Sequence, residues 1–433
     1  MSNEHLQSNR RQFLKQTGSL AAGMGLTAAL PTIFAANHAS AAESDSPNEQ
    51  IRIGCIGVGN QGRGNMGQFI KNVVAVCEVD KTRLGEAREK VEGTTKKSCA
   101  AYGDYRQLLD DKTVDAVVVT TPDHWHALIT IAACAAGKDV YCEKPLTLTI
   151  AEGQAMVRAA RQHGRIVQTG SQQRSDDRFR LACELVRNGR LGKVHTIKVG
   201  IPKVNFSGPA VADSEPPATL DYDFWLGPAP LKPYNEKHVH YLFRFFWDYS
   251  GGQLTNFGAH HLDIVQWALG TDQSGPVAIE AQARFHQQGW FEVPEWFAIT
   301  YKYANGPTVL CGQDYPGGVT FEGEKGTLFV DRGKIESKPG EIAKEIVTDA
   351  DVRLYVSKNH HKNWLECIRS RKAPICDVEI GHRSASVCHL GNIAVRTGRA
   401  ITWDPVKEQI LGDPEAAAML SRPYRTPWQL PTG

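Results

Sequence analysis

Two side chains in this sequence have the chemistry to act on a secondary alcohol. Lys144 lies in the triplet Glu143-Lys144-Pro145, and His260 lies in the run GAHHLD at residues 258–263. Hydride can leave a carbinol carbon only if the hydroxyl proton leaves too, and histidine accepts protons near neutral pH. An ammonium beside the same oxygen stabilises the developing alkoxide. These residue types indicate His260 as the base and Lys144 as its electrostatic partner.

A dinucleotide-binding turn is predicted at residues 57–62, which read Gly-Val-Gly-Asn-Gln-Gly. The motif follows a β-rich run and opens a helical stretch, which is the context that makes G-x-G-x-x-G specific. Glu78 ends the next apolar run, where a carboxylate accepts hydrogen bonds from the adenosine ribose and disfavours a 2′-phosphate. NAD is therefore the predicted cofactor, and NADP stays open because Arg63 and Arg83 could supply a counter-charge.

Further cofactor contacts are expected where the later strands end. Thr120-Thr121-Pro122 closes the third clear strand and is well placed to line the nicotinamide side. His126 is a cofactor-lining candidate, although a helix-start or packing role explains it better than catalysis. The predicted cofactor-binding residues are Gly57, Gly59, Asn60, Gln61, Gly62, Glu78, Thr121, Pro122, His126, Glu143, Lys144 and Arg174.

The aromatic and basic residues at 241–249 directly precede the Gly251-Gly252 turn and the helix of His260. They form either a platform on which a sugar ring stacks or a hydrophobic domain interface. The predicted substrate-binding residues are Lys144, Arg244, Trp247, Asn256, His260 and Asp263. No metal site is predicted, because adjacent histidines on a helix point about 100° apart and seldom bind one ion.

The elements that must position these residues are of two kinds. From residue 51 to residue 172, β-rich and helical runs alternate, which predicts β-α-β units and a doubly wound parallel Rossmann sheet. From residue 173 to residue 404, helices are mixed with strand-like runs spaced as in an antiparallel sheet, which predicts an α+β substrate domain. The Pro-rich tail, residues 405–433, is expected to lie across a surface.

Composition restricts the function. A chain of 433 residues favours two domains, and 41% hydrophobic with 22% charged residues is ordinary for a globular protein. A net charge of +2 gives no field for nucleic acid, so a small-molecule partner is expected. Ten cysteines are scattered through apolar patterns, where thiols behave as small hydrophobes, so we predict buried free thiols rather than disulfides.

The first residues read as an export address. Residues 9–15, Asn-Arg-Arg-Gln-Phe-Leu-Lys, precede a small-residue apolar run, as in a twin-arginine signal. We predict a signal peptide at residues 1–42, a linker at residues 43–50, recognition by the twin-arginine export machinery and a periplasmic location. No later apolar run is long enough to predict a membrane span. Because the periplasm has no free nicotinamide pool, we expect a tightly held cofactor that is recycled in place.

The glycine motif, the Thr-Pro turn, Glu143-Lys144-Pro145 and the 258–263 run, in that order, resemble the Gfo/Idh/MocA family of glucose–fructose oxidoreductase and inositol dehydrogenase. The resemblance extends from residue 51 to about residue 405. It implies a Rossmann domain, a second α/β domain whose large open sheet often serves in homo-oligomer contacts, and oxidation or reduction of a secondary alcohol. It also implies that the lysine reaches the reacting oxygen and that the histidine is the acid or base.

The chain departs from that family pattern at one position. Asn256 stands four residues before His260, where the family pattern has an aspartate. Asn256 could orient the substrate while His260 works with Lys144, or Asp263 or His261 could supply part of the missing charge. Three functions follow: an NAD(P)-dependent oxidoreductase of a sugar, cyclitol or glycoside, a glycosidase that oxidises the sugar transiently, or a binding protein without chemistry.

Overall fold

A computed structural model describes residues 50–204, 209–304 and 306–431. Within them, the first domain contains a six-stranded sheet whose neighbouring strands are all parallel. The strands are β1 (Ile53–Ile56), β2 (Val73–Cys77), β3 (Ala100–Tyr102), β4 (Ala116–Val119), β5 (Asp139–Cys142) and β6 (Val167–Thr169). The order β3-β2-β1-β4-β5-β6 reverses between β1 and β4, the point where such sheets bind ligands. The predicted doubly wound sheet is confirmed.

Alternate residues of these strands enter two different hydrophobic cores. Val117 and Val119 join one cluster, whereas Ala116 and Val118 join another, as expected for a sheet covered on both faces. The connecting helices are α1 (Asn60–Gln68), α2 (Lys81–Thr95), α3 (Tyr105–Asp110), α4 (Asp123–Ala135) and α5 (Ile150–Gln162).

Capping residues explain where most of these helices begin. The Asp80 carboxylate accepts from the first N–H groups of α2, and Thr149 with Glu152 forms a capping box at the start of α5. Helix α1 is different, because Gly59 precedes it and no side chain caps its N–H groups. Those groups point toward the switch point of the sheet and are available to an anion.

The second domain is built on a nine-stranded sheet of order β13-β12-β11-β7-β10-β9-β8-β14-β15. Its strands are β7 (Val194–Gly200), β8 (Ala278–Phe285), β9 (Pro294–Lys302), β10 (Thr308–Gly312), β11 (Gly318–Gly323), β12 (Gly326–Asp331), β13 (Lys334–Lys338), β14 (Ile401–Asp404) and β15 (Gln409–Leu411). Among the described pairings only β7 with β10 is parallel. The predicted open, mostly antiparallel sheet is confirmed.

Helices bury one side of this sheet and carry the second half of the site. They are α6 (Asp177–Arg187), α7 (Tyr222–Leu226), α8 (Gly252–Asn256), α9 (Gly258–Leu269), α10 (His360–Ser370), α11 (Val378–Thr397) and α12 (Pro414–Ala418). Phe179 and Leu262 from the helices and Phe321 from the sheet join one core cluster. Helix α9 is buried over nearly its whole length, so its polar residues must each find a partner or a cavity.

The C-terminal part of the chain returns to the first domain. Trp364 of α10 packs in the same cluster as Ile53 of β1. The tail contains β15 and α12, and its Trp428 ring lies edge-on to Trp125 with ring centroids 4.8 Å apart. The tail therefore contributes regular structure and apolar packing, which its proline content does not predict.

The ten cysteines of the chain are all buried and unpaired, as the sequence predicts. Among the described residues, no helix is both long and apolar enough to cross a bilayer. The predicted signal peptide and nearly all of the linker lie outside the described residues.

Candidate functional site

The glycine turn after β1 leaves no room for side chains. Gly57 has a φ of +80°, and a Cβ there would lie 2.7 Å from the backbone of Thr120. A Cβ on Gly62 would overlap the carbonyl oxygen of Gly57. Together with the uncapped start of α1, this turn is a cradle of backbone N–H groups that fits a dinucleotide pyrophosphate.

Glu78 braces the same turn from the end of β2. Its carboxylate accepts from the N–H of Val58 at 3.0 Å and from the N–H groups of Val79 at 2.9 Å and Asp80 at 3.3 Å. Burial raises the pKa of Glu78, and these N–H donors partly offset that effect. Glu78 lines the cavity where a ribose would lie, and Arg83 lines the same corner, so both cofactor types retain a partner there.

One cavity of about 660 Å³ runs from the glycine turn to the start of α9. Most of the predicted site residues line it. They are Gly57, Gly59, Asn60, Gln61, Gly62, Glu78, Thr121, Pro122, His126, Glu143, Lys144, Arg244, Asn256 and His260. Residues far apart in sequence thus meet at the end of the sheet where nucleotides bind.

Lys144 and Asn256 join the two domains inside this cavity. The Lys144 ammonium donates to Asn256 Oδ1 at 2.8 Å and to the Asn256 carbonyl at 3.2 Å. Asn256 Nδ2 in turn donates to Gln253 Oε1 at 2.9 Å, which fixes the orientation of the amide. Burial lowers the pKa of Lys144. The ammonium is therefore held by a neutral amide rather than by a carboxylate.

His260 lies one helix turn later, on the cavity side of α9. It is buried, and its Nδ1 has no hydrogen-bond partner among the described residues. Burial, followed by the charges of Lys144 and Arg332, holds the pKa of His260 well below its ordinary value. The imidazole is therefore neutral at pH 7 and can accept a proton.

Glu143 precedes Lys144 and holds the β5 loop against α1. Its carboxylate accepts from Asn65 Nδ2 at 2.8 Å, from Gln61 Nε2 at 3.3 Å and from the Lys144 N–H at 3.3 Å. A Cβ on Gly170 would lie 3.0 Å from this carboxyl group. The hydrogen bonds of the Glu143 carboxylate thus fix the position of Lys144 relative to the glycine turn.

His126 lines the cavity, yet both of its ring nitrogens face protein carbonyls. Nδ1 lies 2.8 Å from the Pro145 oxygen and Nε2 lies 2.8 Å from the Thr121 oxygen. Both nitrogens can donate only if the ring is protonated. Burial opposes that charge, but Cys142, Asp123 and the Pro145 carbonyl outweigh it and raise the pKa of His126 to about 10. His126 is a charged brace between two site loops, not a proton carrier.

Two predicted site residues lie elsewhere and bind each other. Arg174 donates from Nε to Asp263 at 2.8 Å and from Nη2 to Asp272 at 2.7 Å, and Ser384 Oγ donates to Asp263 at 2.6 Å. Arg174 is 1% exposed, Asp263 is 0% exposed, and neither lines the cavity. The structure therefore does not place Arg174 or Asp263 at the predicted cofactor and substrate positions, because Asp263 lies outside the cavity lining and is held by Arg174 and Ser384.

Trp247 also lies outside the cavity lining. The guanidinium groups of Arg396 and Arg422 each lie 3.7 Å from the Trp247 ring centroid. The backbone N–H of Trp247 donates to the Glu292 carboxylate at 2.8 Å. Its predicted substrate role thus disagrees with the structure, and the domain-interface alternative fits this residue better. Tyr241 and Phe243 from the same segment do line the cavity and can provide an aromatic surface.

The lining residues that were not predicted as site residues include three polar or charged ones near the substrate end: Lys203, Gln253 and Arg332. Arg332 is at the tip of the β12–β13 hairpin and Lys203 follows β7, so each comes from the second sheet. No motif or periodicity marks a loop cation in a sequence. Only the proline-rich and aromatic setting of Lys203 and the Arg-Gly turn at 332–333 indicated loops there.

Comparison with known proteins gives two matches to family models. Residues 51–171 match the model described as "Oxidoreductase family, NAD-binding Rossmann fold". Residues 184–430 match "Oxidoreductase family, C-terminal alpha/beta domain". The second match alone covers more than half of the chain.

Two curated relatives illustrate how far the sequence similarity reaches. Myo-inositol 2-dehydrogenase of Thermotoga maritima is 35% identical over 153 residues, which are 34% of this chain and 44% of that enzyme. A glycosyl hydrolase family 109 protein of Shewanella pealeana is 32% identical over 161 residues, 33% of this chain and 35% of that protein. Each match therefore spans less than half of the relative's length.

The WlbA dehydrogenase of Bordetella pertussis, solved with NADH and UDP-GlcNAcA, shares the fold. Its TM-score is 0.62 at 20% identity, covering 82% of this chain and 99% of that one. The two family matches fall on the two domains that the sheets define, and the N-terminal match includes the glycine turn. The chain therefore belongs to the Gfo/Idh/MocA oxidoreductase family, and its first domain is the NAD-binding Rossmann domain of that family.

Proposed function

We propose that this protein moves hydride between NAD and a secondary alcohol or ketone of a sugar, cyclitol or glycoside. One observation carries the proposal: Lys144 from the end of β5, Asn256 from α8 and His260 from α9 line the cavity that contains the glycine turn. An ammonium, an amide and a neutral imidazole at one end of a dinucleotide cradle are the groups that alcohol oxidation needs.

A nicotinamide bound in this cavity supplies the hydride acceptor or donor. His260 takes the hydroxyl proton, because its pKa is low enough for the ring to be unprotonated at pH 7. Lys144 stabilises the negative charge that develops on the same oxygen, and Asn256 holds the ammonium at 2.8 Å. General base catalysis of this kind is worth about 10² to 10⁴ in rate.

The direct test is formation of reduced cofactor with a panel of sugars, cyclitols and glycosides. We expect NADH to accumulate with at least one member, and we expect Lys144→Met to remove that activity while Lys334→Met, an exposed control outside the cavity, retains it. Turnover that Lys144→Met leaves unchanged would contradict this mechanism. Nucleotide binding without turnover of any panel member would favour the binding protein.

A transient-oxidation glycosidase is the second candidate, supported by the Shewanella pealeana relative. Such an enzyme returns the hydride to the sugar and releases the aglycone with no net redox change. Single-turnover mixing with an aryl glycoside separates the two functions. Lasting reduced cofactor indicates the dehydrogenase, whereas released aglycone with oxidised cofactor at the end indicates the glycosidase.

Export, cofactor retention and assembly extend this proposal. The twin-arginine pattern at residues 9–15 supports transport of the folded protein to the periplasm with the cofactor already bound. Mass spectrometry of the denatured, purified protein should then detect released NAD or NADP. Homo-oligomer formation through the open sheet is expected, and light scattering of the full chain tests it.

A further inference from the structure

The cavity carries more positive charge than a neutral sugar requires. Five Lys and Arg side chains line it, against three carboxylates. One of the five, Arg83, stands at the glycine turn, next to Gly59. The remaining cations are Lys144, Lys203, Arg244 and Arg332.

The carboxylates of the cavity are already occupied by protein donors. Glu78 accepts from three backbone N–H groups, and Glu143 accepts from two side-chain amides and one backbone N–H. Asp123 is buried beneath Ser250, whose hydroxyl donates to it, and the charge of His126 acts on it. Among the described residues, no hydrogen bond joins these carboxylates to the side chains of the four cations, although Glu143 and Asp123 act on Lys144 through space. The four cations therefore outnumber the carboxylates that face them.

Among the described residues, the direct side-chain contacts of Lys144, Arg244 and Arg332 are with neutral groups. The Lys144 ammonium is held by the Asn256 amide, as shown above. Arg244 Nε donates to the Tyr241 carbonyl at 3.0 Å, and its guanidinium lies 4.1 Å from the Tyr241 ring centroid. Arg332 lies 5.6 Å from the ring centroid of Phe257. Lys203 is exposed, lines the cavity and has no ion pair with any residue that the structure describes.

The same charges act on the reacting end of the cavity. Burial, Arg244 and Arg332 lower the pKa of Lys144, while Glu143 and Asp123 oppose that shift. Burial, Lys144 and Arg332 lower the pKa of His260. The Lys203 carbonyl accepts from Gln253 Nε2 at 3.1 Å, and Gln253 in turn holds Asn256. Like charges gathered in a partly dry cavity repel each other, and an anionic ligand relieves that repulsion.

We propose that the substrate is an anionic sugar or polyol, and that Arg332, Arg244 and Lys203 bind its carboxylate or phosphate group while Lys144 and His260 act on a hydroxyl. This inference rests on the proposed function and names the substrate class of the same site. Arg and Lys are the side chains that recognise such groups, by forked hydrogen bonds or as a point charge. Asn256 fits the proposal, because a carboxylate at that position would repel the substrate.

Calorimetric titration of the NADH-saturated protein tests the subsite without turnover. Saturation with NADH occupies the pyrophosphate cradle, so remaining anion binding belongs to the substrate end. The probes are matched sets of D-glucose, D-galactose and D-mannose, each with its uronate and its 6-phosphate. We expect at least one anion to bind tenfold or more tightly than its neutral parent, with affinity falling as salt rises. The uronate and phosphate arms identify the group. Equal affinity within every set, or no binding by any anion, would overturn the proposal.

Charge-removing variants locate the subsite. Arg332→Gln and Lys203→Gln should each weaken the preferred anion by about three- to tenfold and leave its neutral parent unchanged. Lys334→Gln is the matched control, because Lys334 is exposed two residues from Arg332, pairs with Glu336 and does not line the cavity. An equal loss in Lys334→Gln would show a net-charge effect only and overturn the subsite.

The outcomes for this subsite and for the proposed function are separable. If an anion binds selectively but no hydride transfer or glycoside cleavage occurs, the subsite stands and the proposed function fails. If neutral sugars are oxidised with no preference for any anion, the proposed function stands and the subsite is wrong.

Discussion

Helix α9 carries two polar residues, three positions apart, with different surroundings. His260 faces the cavity, and its Nδ1 has no partner among the described residues. Asp263 lies outside the cavity lining and accepts from Arg174 and Ser384 at 2.6–3.0 Å. Both are almost fully buried, so burial alone does not distinguish them.

The difference lies in how completely each group is satisfied by the protein. A buried charge with a full set of partners stabilises one arrangement of the chain, and a ligand could reach it only by breaking that set. A buried group left without a partner at a cavity is costly to the fold and available for chemistry. On this criterion His260 belongs to the site, together with Lys144, whose ammonium has hydrogen bonds to the neutral Asn256 and to no carboxylate among the described residues. Arg174, Asp263 and Trp247 instead hold the second domain together.

Breaking the satisfied set should have the largest effect on folding. Arg174→Ala leaves Asp263 buried without its counter-ion, which costs about 3–5 kcal/mol of unfolding free energy. Urea denaturation followed by circular dichroism measures this loss. The control is Arg178→Ala. The Arg178 side chain is 44% exposed and pairs with Asp176, so its removal should change stability little.

A second variant keeps the prediction testable if Arg174→Ala does not fold. Arg174→Lys keeps the charge but loses the forked geometry, so its stability should lie between those of the wild type and Arg174→Ala. NADH affinity in Arg174→Lys should equal that of the wild type. A loss of NADH affinity at unchanged stability would instead support the predicted role of Arg174 in cofactor binding.

Removing the Lys144 ammonium, which is held by a neutral amide, should affect chemistry rather than folding. Lys144→Met should reduce kcat/KM by about 10²- to 10³-fold, because it deletes the electrostatic support of the developing alkoxide. Stability should be unchanged or higher, since a buried ammonium no longer has to be desolvated. NADH binding, followed by its fluorescence, should persist. Loss of both activity and folded structure would contradict this separation of roles.

The sequence identifies the fold and the reacting groups because both depend on local patterns. The strand-turn-helix context located Gly57, and the Glu-Lys-Pro triplet after a strand located Lys144. What it could not identify are partners brought together by the fold. Arg174 and Ser384 lie 89 and 121 residues from Asp263, and Arg396 and Arg422 lie far along the chain from Trp247.

Loop cations are missed for another reason. Lys203 and Arg332 lie at the ends of strands in the second sheet, outside any periodic pattern, and an exposed Lys or Arg is ordinary in a sequence. Only the folded chain brings them to the cavity that Lys144 also lines. The charge state of His126 is equally hidden, because it depends on Cys142, Asp123 and the Pro145 carbonyl, which the fold brings to the ring.

His126 lines the cavity, yet both of its ring nitrogens are hydrogen-bonded to the protein. It therefore tests whether a residue at the cavity acts in chemistry when its hydrogen bonds are already made. His126→Gln leaves one carbonyl without a donor and should cost about 1–3 kcal/mol of stability. The pKa of His126 is raised from 6.5 to about 10 on folding. Its contribution is therefore complete below pH 6.5 and lost as pH rises toward 10.

Chemical denaturation at several pH values measures this contribution. The stability difference between wild type and His126→Gln should shrink between pH 6.5 and 10, and kcat should follow the folded fraction. A stability difference that does not change over this range would mean that the histidine is neutral when folded.

The smallest expected effect comes from giving the Lys144 ammonium a carboxylate partner. Asn256→Asp places a carboxylate beside Lys144, where the amide oxygen now lies at 2.8 Å. That charge favours the protonated form of His260 and raises its pKa. A larger fraction of the base is then protonated, and inactive, at pH values below neutrality. The kcat/KM of the variant should fall as pH drops below neutrality, by about fivefold for a charge interaction near 1 kcal/mol.

Wild-type kcat/KM should stay level over the same range, because the pKa of His260 is held well below its ordinary value. Asn256→Ala is the matched control, since it removes the hydrogen bond without adding charge and should lower kcat/KM equally at each pH. If Asn256→Asp and Asn256→Ala give parallel profiles, His260 does not titrate in the rate, and the proton must leave through another group. A shift in Asn256→Asp alone assigns the proton to His260 and gives the neutral amide its function, which is to keep the base unprotonated.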